Sequence, residues 1–168
     1  MTGELITPVR VLIADDHRLF AEALEAVLSS EARIEVVGRA ADGGEAVELA
    51  RRLEPDLVVL DISMPVMDGF EAAAALEELR PPPAVLMLTG SNSPEDIDRA
   101  RRAGAKGYIT KDAIAASLVD AILDAALASI ERRGPRRRRL VVAARAGDAT
   151  GDLRRADRRH SWSSRQIR

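Results

Sequence analysis

The sequence predicts an α/β domain in which five parallel strands alternate with five helices and the helices cover both faces of the sheet. Two observations carry this. Between residues 9 and 133, short β-branched or aliphatic runs alternate with segments of helical spacing. The runs before Asp15 and Asp61 are almost purely apolar, as central strands of such a sheet are.

The strands are expected at VRVLIA (9–14), IEVVGRA (34–40), DLVVL (56–60), AVLMLT (84–89) and KGYIT (106–110). Phe20, Leu24 and Val27 mark the first helix, and Ala46, Leu49, Ala50 and Leu53 the second. Phe70, Ala73, Ala74 and the following LEEL stretch mark the third. Asp42, Asp68 and Ser93 suit N-caps, and Pro94 suits a first helical position. Ser93 with Asp96 resembles a capping box, and Gly104 is placed to stop the fourth helix. That helix, around Ile97 and Ala100, reads as the least amphipathic, crowded by Asp96, Asp98, Arg99, Arg101 and Arg102, and is expected to be held loosely. The fifth runs from about Ala113 to Arg132 through Ile114, Leu118, Val119, Ile122, Leu123 and Ile130, and Gly134-Pro135 ends it.

The chain has 168 residues, enough for one domain with a real core plus an appendage. It has no cysteine, which excludes disulfides and fits a reducing cytosol. No apolar stretch reaches the length of a membrane span, and MTGELITP lacks the features of a secretory leader. A cytoplasmic protein without a membrane segment is therefore expected. The net charge of −2 conceals two opposed parts: residues 1–131 hold 24 Asp/Glu and 12 Lys/Arg, whereas 132–168 hold 3 acids and 13 arginines. An acidic body bears a basic tail.

Ligands of an open parallel sheet bind beyond the carboxyl ends of its strands. Strand one ends in Asp15-Asp16, strand three in Asp61 and strand four in Thr89, and strand five leads into Lys111. Three carboxylates gathered on one rim repel one another unless a cation neutralises them. A few carboxylates plus water suit Mg²⁺. With only His17 and His160 and no cysteine, a softer metal is not expected. A carboxylate beside Mg²⁺ can attack a phosphoryl group and form an acyl phosphate, with a lysine and a hydroxyl meeting the charge on the phosphoryl oxygens.

The stretches VLIADDH (11–17), VVLDISMPVMDG (58–69), LMLTG (86–90) and GAKGYITKD (104–112) resemble the receiver domain of bacterial two-component response regulators. The opening ADDHRLF and the ending GYITKD are most similar to the NarL/FixJ-type branch, whose members usually add a helix-turn-helix domain. The resemblance spans residues 9–131 and implies a flavodoxin-like (βα)₅ fold with strand order 2-1-3-4-5. Matched by motif, Asp61 is the phosphoacceptor and takes its phosphoryl group from a sensor histidine kinase. Asp15, Asp16, Asp61 and the Ser63 backbone carbonyl hold Mg²⁺. Lys111 contacts the phosphoryl group, and Thr89 and Tyr108 form the switch pair. The implied output is a changed protein contact, such as a homodimer, and no substrate is turned over.

Taken singly, each residue also has an ordinary structural reading. Asp16 could cap the first helix, Thr89 the loop after strand four, and Tyr108 could be plain core. Lys111 could be a solvated loop residue, and His17 a first-turn residue. Their joint placement at the correct strand ends is what speaks for the site. Many receivers have a proline with a cis bond after the lysine, where this chain has Asp112. A cis bond before a non-proline residue costs about 2.5–4 kcal/mol, so the isomer there stays open. Ser63 and Ser91 stand where the family tunes dephosphorylation. Phosphatases of the haloacid dehalogenase type also use an aspartyl phosphate, but they want a second Asp where this chain has Ser63.

The expected organisation is an N-terminal extension at 1–8, a receiver domain at 9–133, and an Arg-rich, disordered tail at 134–168. Beyond LVVAA (140–144) the tail has little periodic apolar content and shows no helix-turn-helix. Its arginines could neutralise nucleic-acid phosphates, with Trp162 as a stacking group. A solvated basic tail or a truncated, frame-shifted end outweighs that reading. The alternative to a receiver acting alone is a DNA-binding transcriptional regulator working through this tail, or a truncated relative of one.

Overall fold

The computed structural model describes residues 7–90 and 93–130. The five strands are β1 (Val9–Ala14), β2 (Ile34–Ala40), β3 (Leu57–Asp61), β4 (Ala84–Thr89) and β5 (Gly107–Thr110). The helices are α1 (Arg18–Ser29), α2 (Gly43–Leu53), α3 (Gly69–Glu77), α4 (Pro94–Arg102) and α5 (Ile114–Ile130), with a 3₁₀ turn at Lys111–Ala113 leading into α5. All strand pairs are parallel, in the order β2-β1-β3-β4-β5.

Alternation along each strand divides the apolar residues between two cores. Val11, Ile13, Leu57, Val59, Leu86 and Leu88 join Leu24 and Leu28 of α1 and Leu118 and Ile122 of α5 on one face. Leu12, Val58, Leu60, Val85 and Met87 join Ala46 and Ala50 of α2, Ala73 and Leu76 of α3 and Ala100 of α4 on the other. Burial on both faces explains why β1, β3 and β4 read as continuous apolar runs.

The caps follow the sequence closely. Asp42 accepts from the Glu45 N–H. Asp68 and Glu71 form a reciprocal capping box at α3. Ser93 accepts from the Asp96 N–H at 3.3 Å and donates to the Glu95 carboxylate at 2.7 Å. Gly104, with φ +89°, follows α4 in the left-handed conformation that a glycine adopts without strain.

Several expectations need correction. Val27 is exposed and the neighbouring Leu28 lies in the core; Ala74 is exposed, with Ala72 and Leu76 buried. Helix α4 is amphipathic rather than the least so: Ala100 is its one buried residue, so its apolar face is narrow but defined. Arg99 lies 4.0 Å above the Phe70 ring and ties α4 to α3. A bulge in β2 shifts its register against β1 between Val36 and Gly38. Among the described residues the cis bond is Arg80–Pro81, so Lys111–Asp112 is trans. Ser91, the extension's residues 1–6 and the tail lie outside the described residues.

Candidate functional site

The order β2-β1-β3 means that the chain leaves β1 on one side and returns on the other, and this opens a crevice at the carboxyl ends of β1 and β3. Ala14 pairs with Leu60, so the residues that follow, Asp15 and Asp61, stand side by side. Both are buried, each 3% exposed. Asp61 closes β3 and Asp15 follows β1 directly, so the backbone of two central strands fixes both carboxylates.

Lys111, at the start of the 3₁₀ turn after β5, reaches across to both. Its Nζ donates to Asp15 Oδ2 at 3.1 Å and lies 3.3 Å from Asp61 Oδ1. On its other side the ammonium sits 4.5 Å above the Phe20 ring of α1. Asp15 Oδ1 accepts the His17 backbone N–H at 2.8 Å. Asp16 is exposed, with Oδ1 3.4 Å from His17 Nδ1. It does not cap α1: His17 occupies the N-cap position, without a side-chain cap bond.

The electrostatics follow from this crowding. Burial raises the Asp61 pKa above the ordinary carboxylate value and the Asp15 charge adds to it, against an opposing pull from Lys111. Burial would lower the Lys111 pKa, but hydrogen bonds and charges from Asp15 and Asp61 outweigh it and leave the ammonium favoured. Two buried acids thus share one cation. Asp61 Oδ2 is buried and has no hydrogen-bond partner among the described residues.

Thr89 ends β4, buried, and its side chain is hydrogen-bonded to the Tyr108 hydroxyl of β5. Burial raises the Tyr108 pKa, the Thr89 bond opposes this and the Asp96 charge adds to it. Ser63 is exposed in the loop after β3. That loop is closed by the Gly69 N–H donating to the Ile62 carbonyl at 2.9 Å. It passes through Val66, a β-branched residue at φ 68°, which is strained backbone just beyond the buried acid.

The residues present fit a hard divalent cation. One ligand atom from each of Asp15, Asp16, His17 and Asp61 lies within 4.8 Å of the others, and the partnerless Asp61 oxygen is among the carboxylate atoms available. Carboxylate oxygens around an exposed opening are the donor set of Mg²⁺.

Residues 11–123 match the response regulator receiver domain. The chain belongs to this family. It is 40% identical over 118 residues to the probable transcriptional regulatory protein NarL of Mycobacterium tuberculosis, covering 70% of this chain and 55% of that protein. The chain thus spans about half the length of the relative it matches. The NarL receiver domain superposes with a TM-score of 0.68 at 39% identity, over 71% of this chain and 96% of that one. These similarities put the receiver in the NarL/FixJ-type branch of two-component response regulators. A CheX–CheY complex with BeF₃ and Mg²⁺ from Borrelia burgdorferi matches with a TM-score of 0.65 at 29% identity, over 70% of this chain and 88% of that one. As receivers generally are, this domain is a signalling module.

The structure brings Asp15, Asp16, Asp61 and Lys111 together and pairs Thr89 with Tyr108. Sequence reasoning missed Phe20, which holds the lysine from α1, and gave His17 no part in the site. Phe20 lies in the first turn of α1, four residues after Asp16, and that nearness in sequence was the available clue.

Proposed function

We propose that this receiver accepts a phosphoryl group from a sensor histidine kinase on Asp61 and uses it to switch a protein-interaction face, turning over no substrate. The observation that supports this most directly is the buried, partnerless Oδ2 of Asp61 beside an acid and an ammonium. An oxygen of Asp61 attacks phosphorus, a P–O bond forms as the donor's P–N bond breaks, and the leaving imidazole takes its proton from water. Lys111, already within ion-pair distance of Asp61, faces the new phosphoryl oxygens. Asp15, Asp16, Asp61 and the Ser63 carbonyl would hold Mg²⁺, which supplies charge neutralisation for the carboxylates and the phosphoryl group.

The Thr89 hydroxyl then has two competing partners, Tyr108 and the phosphoryl oxygens. Transfer of its bond to the phosphoryl group frees Tyr108 to change its packing against α4, whose narrow apolar face makes it the element to move. The output is a protein contact, either a homodimer or another partner.

Intact-mass spectrometry with a small phosphodonor and Mg²⁺ tests the first step. The parent chain gains one phosphoryl mass and Asp61→Asn gains none. Equal phosphorylation of the two would refute the assignment.

A further inference from the structure

His17 has no role in the phosphoryl chemistry above, yet it is built into the pocket. Its backbone N–H is bonded to Asp15 Oδ1, and this turns the side chain toward the acids. Nδ1 lies 3.5 Å from Asp15 Oδ1 and 3.4 Å from Asp16 Oδ1. In an octahedral site with bonds of about 2.1 Å, neighbouring ligand atoms are about 3.0 Å apart and opposite ones about 4.2 Å. The ligand atoms of Asp15, Asp16, His17 and Asp61 all fall within 4.8 Å of one another, close to that frame. Independently, Asp61, which supplies one of these ligand atoms, has a buried Oδ2 with no hydrogen-bond partner among the described residues, on a side chain 4% exposed. The His17 side chain is 72% exposed.

We propose that His17 is a nitrogen ligand of this pocket and gives it a preference for first-row transition cations, such as Co²⁺ and Ni²⁺, over Mg²⁺. This rests on the reading of the acids as a cation site and extends it. Imidazole suits these cations, while Mg²⁺ favours oxygen donors. The carboxylates therefore serve both classes of metal, and His17 serves only one. If His17 were merely a counter-cation for Asp15 and Asp16, its removal would favour every divalent cation alike, because a positive neighbour would be lost.

Isothermal titration of the full chain with Ni²⁺ and with Mg²⁺ at pH 8, where an ordinary imidazole is neutral, separates these outcomes. The variants are His17→Asn, His160→Asn and Asp61→Asn. The expected result is that His17→Asn weakens Ni²⁺ binding by about tenfold or more and leaves Mg²⁺ binding nearly unchanged. His160→Asn controls for the chain's other histidine and retains the high-affinity Ni²⁺ component. The visible spectrum of bound Co²⁺ gives a second readout and shifts in His17→Asn. An equal change for both metals, or an unchanged Ni²⁺ affinity, overturns the proposal while leaving the acidic site intact. If Asp61→Asn alters neither metal, the pocket is not the cation site, and both readings fall together.

Discussion

At the level of single residues, charges matter where geometry fixes them, and Glu31 is a case that can be tested away from the site. Its carboxylate receives the Arg33 guanidinium on both oxygens at 2.8 Å, and the Arg33 backbone N–H at 3.2 Å. The side-chain bonds, then the backbone bond, lower its pKa to about 2 from the usual 4.5. A lowered folded-state value means that the unfolded chain binds more protons between these limits. The contribution is therefore complete above about pH 4.5 and is lost as pH falls through about 2. The pair is partly exposed, so solvent screening keeps its worth to about 0.5–1 kcal/mol. Glu31→Gln should be less stable by that amount at pH 7 in urea melts, with the gap narrowing at pH 3. A gap of the same size at pH 3 would show that packing, rather than charge, is responsible. The rim residues followed from strand ends in the sequence, because Asp15, Asp61, Thr89 and Lys111 each stand where an apolar run stops. Phe20 did not, since a ring over an ammonium arises only once α1 is docked, and His17, though next to both acids in the chain, reads in sequence as an ordinary first-turn residue.

Helices and strands were legible to different degrees, for physical reasons. All five strands fell within one residue of expectation; for β1, β3 and β4 the reason is that both faces are buried and no choice of phase is needed. Helix phase was harder: in α3 the run EAAAALE offers alanines on every side, so nothing local tells Ala72 from Ala74. The left-handed Glu54 that ends α2 has no glycine or asparagine to announce it, whereas the bulge in β2 lies beside Gly38, a signal that sequence reasoning missed. The start of α3 did announce itself, through Asp68 and Gly69. A Cβ on Gly69 would meet the Asp61 carbonyl oxygen and stand 2.7 Å from the Ile62 Cα. Both are backbone atoms of the segment that presents the buried acid, and neither can move without shifting it. Gly69→Ala should cost about 1–3 kcal/mol and reduce phosphorylation of Asp61 as well. Gly90→Ala, whose Cβ would meet nothing within 4 Å, should be close to neutral in the same melts. Equal costs at the two glycines would mean that helix docking does not fix Asp61.

For the whole molecule, the relation to test is between an acidic body and the basic stretch from Arg132 onward. Among the described residues no helix is long and apolar enough to cross a membrane, and protein contacts and nucleic acid are the two partners a titration can separate. Segments 1–131 and 132–168 carry 24 acids with 12 bases and 3 acids with 13 bases, so any attraction to DNA must come from the second. Neutralisation of phosphates by arginine releases counterions, so such binding weakens steeply with salt. The body repels DNA by the same electrostatics, and a phosphoryl group on Asp61 adds to that repulsion. A fluorescence-anisotropy titration across salt concentrations should therefore compare the full chain with a version ending at Arg133, each with and without a beryllofluoride mimic on Asp61. Since the receiver match ends at residue 123, the shortened chain keeps all of it. Steeply salt-dependent binding by the full chain alone, altered by the mimic, would make the basic stretch an output coupled to the receiver. Binding that is absent, or the same with and without the mimic, would leave a protein partner as the route by which the phosphoryl signal leaves this domain.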